Sequence, residues 1–297
     1  MDRDSVEVFL PDPDDCYERL RRARFGATVS CVYCGESDPV IKKGTTGKGA
    51  QQYRCKECET YFNDLTNSFF EHRKFPIEEM FYMIKEMRSV PTAQIASDLQ
   101  RDYEAVLNFR HDLQELCGEL TELTLSDVCE ADEIYVTAGE KGIEKEDEEE
   151  SPRERGLKKK GRGSFESDKP PVVTLVRRSD GRVEFLVREN LQDVDEEIAE
   201  KGDETVILCT DDYTIYDDID EYDGIDAHLA ITHDDTYVIG DAHVNSCENR
   251  HSFLRQWLAK FRGVSKHHLQ GYLNFLGLLL NDSADWFSKI LSYESSR

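Results

Sequence analysis

The sequence predicts a multidomain α+β protein, in which a cysteine-rich ribbon and a helical region precede a larger mixed sheet flanked by helices. Three observations support this prediction: two close cysteine pairs near the N-terminus, a following stretch with apolar residues at every third or fourth position, and β-branched runs typical of strands downstream. At 297 residues, 38% of them hydrophobic, the chain is long enough for one large domain and one or two small ones.

Shifts in composition divide the chain into five predicted segments. They are an N-terminal extension (1–28), a ribbon (29–70), a helical region (71–122), a large domain of strands and helices (123–285) and a C-terminal tail (286–297). Within the large domain, residues 140–170 pass from an acidic block to a basic block and contain few apolar residues, so we expect a mobile loop or insertion there.

The chain is strongly acidic. Its 62 Asp and Glu residues against 37 Lys and Arg give a formal net charge of −25, which opposes binding to a polyanion at low salt. At about 1 M salt the Debye length is only about 3 Å, so acidic side chains away from a contact surface would repel DNA very little. The composition therefore favours the high-salt cytoplasm of a haloarchaeon.

Neither a membrane span nor a signal peptide is expected. The chain has no run of about 18 apolar residues, and its N-terminus, MDRDSVEVFLPDPDD, carries the wrong charge for a secretory signal. We expect a cytoplasmic, nucleoid-associated protein without a membrane partner.

Four cysteines have the spacing of a zinc ribbon. Cys31 and Cys34 form one CxxC pair, Cys55 and Cys58 form a second, and 20 residues separate the pairs. Two such knuckles supply the four thiolates of a tetrahedral, structural Zn²⁺ site, whereas free thiols or two short-range disulfides fit this spacing less well. The five remaining cysteines are scattered, so we assign them to packing.

Basic residues mark the ribbon and the helical region as candidate DNA contacts. On the ribbon they are Lys42, Lys43, Lys48, Arg54 and Lys56, for which a solvated surface is the alternative. Further on, the apolar spacing predicts a helix-turn-helix. It comprises a short helix over residues 92–99, a turn and a longer helix from Tyr103, which would offer Asn108, Arg110 and His111 to a major groove. A plain helical hairpin explains the same periodicity.

Three carboxylates stand in contexts that suit metal ligands. Asp132 lies in a predicted strand, CEADEIYVTAG, with Ala131 and Glu133 on the opposite face. Asp211 ends the apolar run VILCT, and Glu248 lies in a segment with helical spacing. Carboxylates on rigid elements would hold two Mg²⁺ or Mn²⁺ ions about 3.5–4 Å apart. Taken singly, each is better explained as a surface charge or a cap, and the neighbouring Asp212 is the alternative to Asp211.

These features resemble insertion-sequence transposases that join an N-terminal zinc ribbon to a DDE domain of RNase H-like fold. The resemblance spans residues 25–285. It is carried by the ribbon, DEIY at Asp132, GRGS and DKPPVVTLVRR from Gly161, TDD at Asp211, and HVNSCENRHSFLRQWLAKFRGVSKHHLQGYLNFLGLLLN from His243.

The resemblance implies roles for individual residues. Asp132, Asp211 and Glu248 correspond to the catalytic triad. Arg255 lies seven positions after the glutamate, where the family has a lysine that contacts DNA near the cut. The planar guanidinium of arginine can bind two phosphate oxygens, whereas the ammonium group of lysine acts as a point charge. His243 and Asn245 would order the site or the DNA end; packing and helix capping are their alternatives.

The 140–170 insertion departs from the family pattern. No function is implied for its acidic half, residues 144–150, whereas Lys158, Lys159, Lys160 and Arg162 in its basic half are candidates for tracking a DNA backbone.

The sequence thus predicts a DNA transposase that binds the terminal inverted repeats of an element and target DNA, as a homo-oligomer, and performs metal-dependent cleavage and strand transfer. A DNA-binding regulator or decayed element product without activity is the main alternative, and a non-specific RNase H-like nuclease is a further one.

Overall fold

The structure is a computed structural model that describes residues 8–140, 161–203, 205–211, 213–231 and 244–294. Contacts divide the chain into two compact units. The first unit comprises Met1–Leu113 and Ala284–Arg297, and the second comprises Gln114–Ser283. Each unit is described by itself below.

The elements of the first unit are α1 (Pro13–Phe25), β1 (Val40–Thr45), β2 (Gln51–Cys55), β3 (Tyr61–Asn63), α2 (Ile77–Glu86), α3 (Thr92–Asp98) and the greater part of α4 (Tyr103–Thr121). Those of the second unit are β4 (Val128–Tyr135), β5 (Pro171–Arg177), β6 (Val183–Val187), α5 (Val194–Glu200), β7 (Val206–Asp211), β8 (Ile225–Ile231), α6 (Asn245–Ala259) and α7 (Leu269–Asn281). Two 3₁₀ turns, Thr214–Tyr216 and Ile219–Glu221, separate β7 from β8, and α8 (Trp286–Ser292) belongs to the first unit.

The ribbon is an antiparallel sheet of order β1-β2-β3 with its own small core. Tyr53 and Phe62 stack with ring centroids 5.1 Å apart, and Phe25 at the end of α1 packs edge-on against both rings. Asp64, fully buried just after β3, accepts hydrogen bonds from Nε and Nη2 of Arg21 on α1. This carboxylate therefore ties the first helix to the ribbon.

The helical part of the first unit confirms the two helices predicted from sequence, since α3 begins at Thr92 and α4 at Tyr103. Its core is aromatic. Phe69 packs edge-on against Phe70 and Phe109, and Phe81 of α2 packs against Phe287 of α8. Four apolar side chains of α8 are buried, so residues 286–292 form part of this core.

The second unit is built on a five-stranded mixed sheet of order β6-β5-β4-β7-β8. Pairs β4/β5 and β5/β6 are antiparallel, whereas β4/β7 and β7/β8 are parallel. The predicted strand around DEIY is confirmed as β4, and the β-branched runs downstream, PPVVTLVRR, RVEFLVREN and VILCT, form β5, β6 and β7. Strand β8 and helix α5 were not predicted.

Helices cover both faces of this sheet. One face carries an apolar cluster that includes Ala131 and Leu208 of the central strands together with Val194 and Ile198 of α5. Helix α6 packs against β4 and β5, and α7 packs against β6. The predicted architecture, a cysteine-bearing N-terminal region followed by a mixed sheet flanked by helices, is confirmed. Among the described helices, none has the length and apolar character needed to span a membrane.

Candidate active site

The four paired cysteines come together at one end of the ribbon. Sγ of Cys31 lies 3.6 Å from Sγ of Cys58, Sγ of Cys34 lies 3.7 Å from Sγ of Cys55, and all four sulfurs lie within 4.8 Å of one another. A tetrahedral Zn²⁺ with bonds of about 2.3 Å separates its sulfur ligands by about 3.8 Å. The cysteine cluster therefore fits zinc.

The basic residues predicted on the ribbon have different surroundings. Lys42 and Lys43 are exposed on β1. The guanidinium of Arg54 lies 5.7 Å from the ring centroid of the exposed Tyr61 and 3.7 Å from a carboxylate oxygen of Glu59. Lys48 donates a hydrogen bond to the carbonyl of Arg73, and Lys56 is exposed. The four lysines are thus exposed, whereas Arg54 is half-buried.

Of the three DNA contacts predicted on helix α4, one is exposed, one is buried and one is half-buried. Asn108 is exposed and lines a cavity of about 420 Å³ with Lys74 and Arg101. Arg110 is only 1% exposed and donates a hydrogen bond from Nη2 to the carbonyl of Val90. The expectation that Arg110 reaches a DNA groove does not fit this burial, because the side chain is enclosed in the helical core. His111 is half-buried.

Two of the three predicted catalytic carboxylates meet at the centre of the sheet. Strands β4 and β7 are parallel neighbours in which Cys129 pairs with Leu208 and Glu130 with Cys209. Because side chains alternate along a strand, the same register carried two residues further sets Asp132 beside Asp211 on one face, where β7 ends. Carboxylate oxygens of Asp132, Asp211 and Glu133 lie within 4.8 Å of one another.

Glu133 is the member of this acidic group that the sequence assigned to the opposite face. Its side chain is only 5% exposed, and Oε2 is buried with no hydrogen-bond partner among the residues that the structure describes. Burial, with the negative charges of Asp211 and Asp132, raises the pKa of Glu133 to about 7. A divalent cation would offset this repulsion, and in an octahedral Mg²⁺ site opposite oxygens are about 4 Å apart. The acidic group therefore fits a divalent metal.

One cationic side chain stands next to the acidic group. Cζ of Arg162 lies 3.7 Å from the ring centroid of Tyr213, and its Nη2 lies 4.0 Å from Oε1 of Glu133. The Arg162 side chain is 60% exposed, so most of its donors remain accessible to solvent.

Helix α6 contributes different residues from those expected. Glu248 is exposed in the first turn and is not a member of the acidic group. His251, one turn further, is buried, with Nδ1 3.6 Å from Oδ2 of Asp132. Burial and the charge of Arg255 lower the pKa of His251 to about 4. Arg255 is exposed and borders a cavity of about 600 Å³ that Tyr135 also lines.

The beginning of α6 is capped from another element. Asn245 is the first helical residue and is exposed, and the preceding Val244 makes no side-chain capping bond. The cap comes from Glu130 of β4, a fully buried residue that no sequence pattern had singled out. Its position on the same strand face as Asp132, two residues away, was the available signal.

Several predicted residues fall outside the described ranges. They are Lys158, Lys159 and Lys160, the acidic stretch 144–150, Asp212 and His243.

Comparison with known proteins defines the class. Residues 124–277, which include both central strands, all of α6 and most of α7, match the family model of the ISXO2-like transposase domain. The second unit and its acidic group thus lie in a transposase domain. The chain belongs to the ISXO2-like transposase family. It is 32% identical over 259 residues, 86% of each chain, to an uncharacterized protein in transposable element ISH50 of Halobacterium salinarum.

Solved structures similar to this chain include complexes of Mos1 transposase. A pre-cleavage Mos1 transpososome matches at 11% identity, with 97% of this chain and 99% of that chain covered and a TM-score of 0.24. The Mos1 paired-end complex with the left transposon end matches at 13% identity, with 72% and 77% covered and a TM-score of 0.23.

Proposed function

We propose that this protein is an active transposase, which binds the ends of an insertion sequence and performs metal-dependent DNA cleavage and strand transfer. The observation that carries the proposal is the pairing of Asp132 and Asp211 on neighbouring parallel strands within the domain that matches the family. Such a pair supplies hard oxygen ligands on rigid elements, as two-metal phosphoryl transfer requires.

In this proposal Asp132, Asp211 and Glu248 hold two Mg²⁺ or Mn²⁺ ions. When bound, such ions activate an attacking water or 3′-hydroxyl and stabilise the leaving oxygen. Glu248 is assigned by its match to the family pattern, and Glu133 competes with it as the third ligand because its carboxylate already lies in the acidic group. The two assignments predict opposite rankings of Glu248→Gln and Glu133→Gln in DNA cleavage.

Arg162 is the proposed contact to the phosphate at the cut. Its guanidinium lies beside Glu133 and stacks on Tyr213, and this stacking restrains a planar fork suited to two phosphate oxygens. Arg255, on the same side of α6 as His251, is the second proposed contact near the cut.

DNA further from the cut would contact the first unit. The proposed set there is Lys42, Lys43, Arg54 and Asn108, and Lys159 and Lys160 are proposed for the insertion. Arg110 is left out because it is buried. We assign 29–70 to a zinc ribbon, 71–122 to DNA binding and 123–285 to catalysis, and expect a homo-oligomer in the active complex.

The test uses the full-length protein with duplexes taken from the DNA that flanks its gene, in molar KCl with Mg²⁺ or Mn²⁺. We expect nicking at the element ends, and we expect Asp132→Asn and Asp211→Asn to abolish nicking while end binding is retained. No cutting by the parent protein under any salt or metal condition would favour the regulator. Equal cutting of random DNA would favour a non-specific nuclease.

A further inference from the structure

A buried carboxylate on β4 makes an unusual set of contacts with the start of α6. Glu130 is fully buried, and its Oε1 accepts hydrogen bonds from Nε of Arg178 at 2.6 Å and from the hydroxyl of Ser246 at 2.9 Å. Its Oε2 accepts from the backbone N–H groups of Ser246 at 2.8 Å and Cys247 at 3.2 Å. One side chain therefore joins a strand, the turn after β5 and the first turn of a helix.

These contacts replace an ordinary helix cap. The first N–H groups of a helix have no partner within the helix, and a side chain just before the helix usually accepts from them. Val244 has no side chain that can do so, and the carboxylate of Glu130, 116 positions before Ser246, takes that role. A negative charge at this end also suits the helix dipole. The start of α6 is thus fixed to β4.

The same helix face continues to make polar contacts with the sheet toward the acidic group. Sγ of Cys247 lies 3.4 Å from the carbonyl oxygen of Thr174, and one turn further Nε2 of His251 lies 3.0 Å from Oγ1 of the same threonine. Thr174 pairs with Asp132 across β4 and β5. Glu130, which caps α6, and Asp132, the candidate metal ligand, lie two residues apart and therefore on the same face of β4. Helix α6 packs against this strand.

We propose that Glu130 is a positioning residue of the active site. It fixes the position of α6 along β4, so that His251 remains in contact with Asp132 and Arg255 remains near His251. The role of Asp132 as a metal ligand rests on the proposed function, whereas the clamp on α6 does not. A buried ion pair is weak evidence for stability alone, since well-packed apolar replacements are often as stable. Its value here is that it defines a single arrangement of helix and strand.

The experiment compares Glu130→Gln with Glu184→Gln. Glu184 is a matched control because it is also a largely buried carboxylate of this sheet, paired with Lys201 at 3.1 Å, and it contacts the backbone N–H of Leu123 instead of α6. Two properties are measured in the full-length protein without DNA. They are the hydrogen-exchange rates of the amides of residues 245–251 and the dissociation constant for Mn²⁺ by calorimetry.

We expect Glu130→Gln to accelerate exchange in the first turns of α6 and to weaken Mn²⁺ binding about 10- to 100-fold, as loss of a residue that orients a metal ligand does. Glu184→Gln should leave both properties within about twofold of the parent. Equal effects of the two variants, or no effect of Glu130→Gln, would overturn the proposal.

A milder variant covers the case in which Glu130→Gln does not fold. Ser246→Ala removes one hydrogen bond to Glu130 and keeps the ion pair with Arg178. It should give the same two changes at smaller size, and parent-like values would contradict the clamp. Accelerated exchange together with an absence of DNA cleavage by the parent would support the clamp while rejecting the proposed function. Normal DNA cleavage by the parent together with unchanged exchange in the variants would support the proposed function and reject the clamp.

Discussion

Nδ1 of His251 lies 3.6 Å from Oδ2 of Asp132, while Nε2 of the same imidazole lies 3.0 Å from Oγ1 of Thr174. Burial keeps this ring neutral at ordinary pH, and a neutral imidazole has one N–H. The arrangement is satisfied when the Thr174 hydroxyl donates to Nε2 and Nδ1–H points to the carboxylate. We therefore expect His251 to orient the first aspartate of the acidic group.

Replacing His251 by leucine should lower DNA cleavage about 10- to 100-fold, because the carboxylate of Asp132 loses the group that fixes its rotamer. The measurement is the initial rate of end nicking at saturating DNA and metal. Gln256→Leu provides the control, since this residue lies on the exposed side of the same helix. A His251→Leu rate within twofold of the control would remove His251 from any positioning role.

The third metal ligand can be assigned by comparing two glutamates. If Glu248 completes the site, Glu248→Gln should reduce cleavage about 100-fold or more, equivalent to about 3 kcal/mol of transition-state stabilisation. Glu133→Gln should then have a smaller effect, since it removes a charge beside the ligands and not a ligand. Mn²⁺ titrations of both variants make the comparison. The opposite ranking would assign the third position to Glu133.

Local patterns predicted much of the fold. The spacing of Cys31, Cys34, Cys55 and Cys58 indicated the cluster, and the helical period predicted helices that begin at Thr92 and Tyr103. The central strands were recognisable because they are buried on both faces and are therefore rich in β-branched residues. Strand β8 was missed because it lies at the sheet edge, where most of its residues are partly or fully exposed.

The placement of Arg110 was predictable in principle, and that of Glu130 was not. Arg110 lies four residues after Val106 and three before Leu113, so the helical period already sets it in the middle of the buried stripe. The burial of Glu130 depends on Arg178 and on the start of α6, which are distant in sequence. Likewise, strand alternation could not show that the longer Glu133 side chain joins Asp132 and Asp211 where β7 ends.

Zinc removal should unfold the ribbon. Structural zinc contributes roughly 10–16 kcal/mol in small zinc-binding peptides, which exceeds what the few apolar side chains of the ribbon core provide. Purified protein should contain one zinc per chain by atomic absorption. Cys55→Ser should lose the metal and the near-ultraviolet circular dichroism of Tyr53 and Phe62. Cys117→Ala is the control, because Cys117 is buried outside the cluster. A metal-free ribbon that keeps its dichroism would contradict the zinc assignment.

Asp64 should be a major determinant of stability in the first unit. Its carboxylate accepts hydrogen bonds from Arg21, from the hydroxyl of Tyr53 at 2.9 Å and from the backbone N–H of Gln51 at 2.7 Å. Asp64→Ala leaves all these donors without a partner and should cost about 3–5 kcal/mol of unfolding free energy. Tyr53→Phe removes one hydrogen bond and should cost about 1 kcal/mol. Chemical denaturation, monitored by the release of zinc, tests this ranking. Equal losses of unfolding free energy in the two variants would contradict it.

The net charge of −25 predicts that both stability and DNA binding depend on salt, in an unusual combination. Repulsion among unpaired carboxylates destabilises the compact state, and molar KCl screens it. The melting temperature should therefore rise steeply between about 0.1 M and 2 M KCl, where the Debye length falls from about 10 Å to under 3 Å.

The affinity of an ordinary basic protein for DNA falls over this range of salt, because binding releases counterions from the phosphates. Here the loss should be partly offset, since the same salt screens the acidic surface, and the plot of log affinity against log salt should be shallow. Full stability in dilute buffer, or a steep negative slope, would show that the acidic residues are not an adaptation to salt.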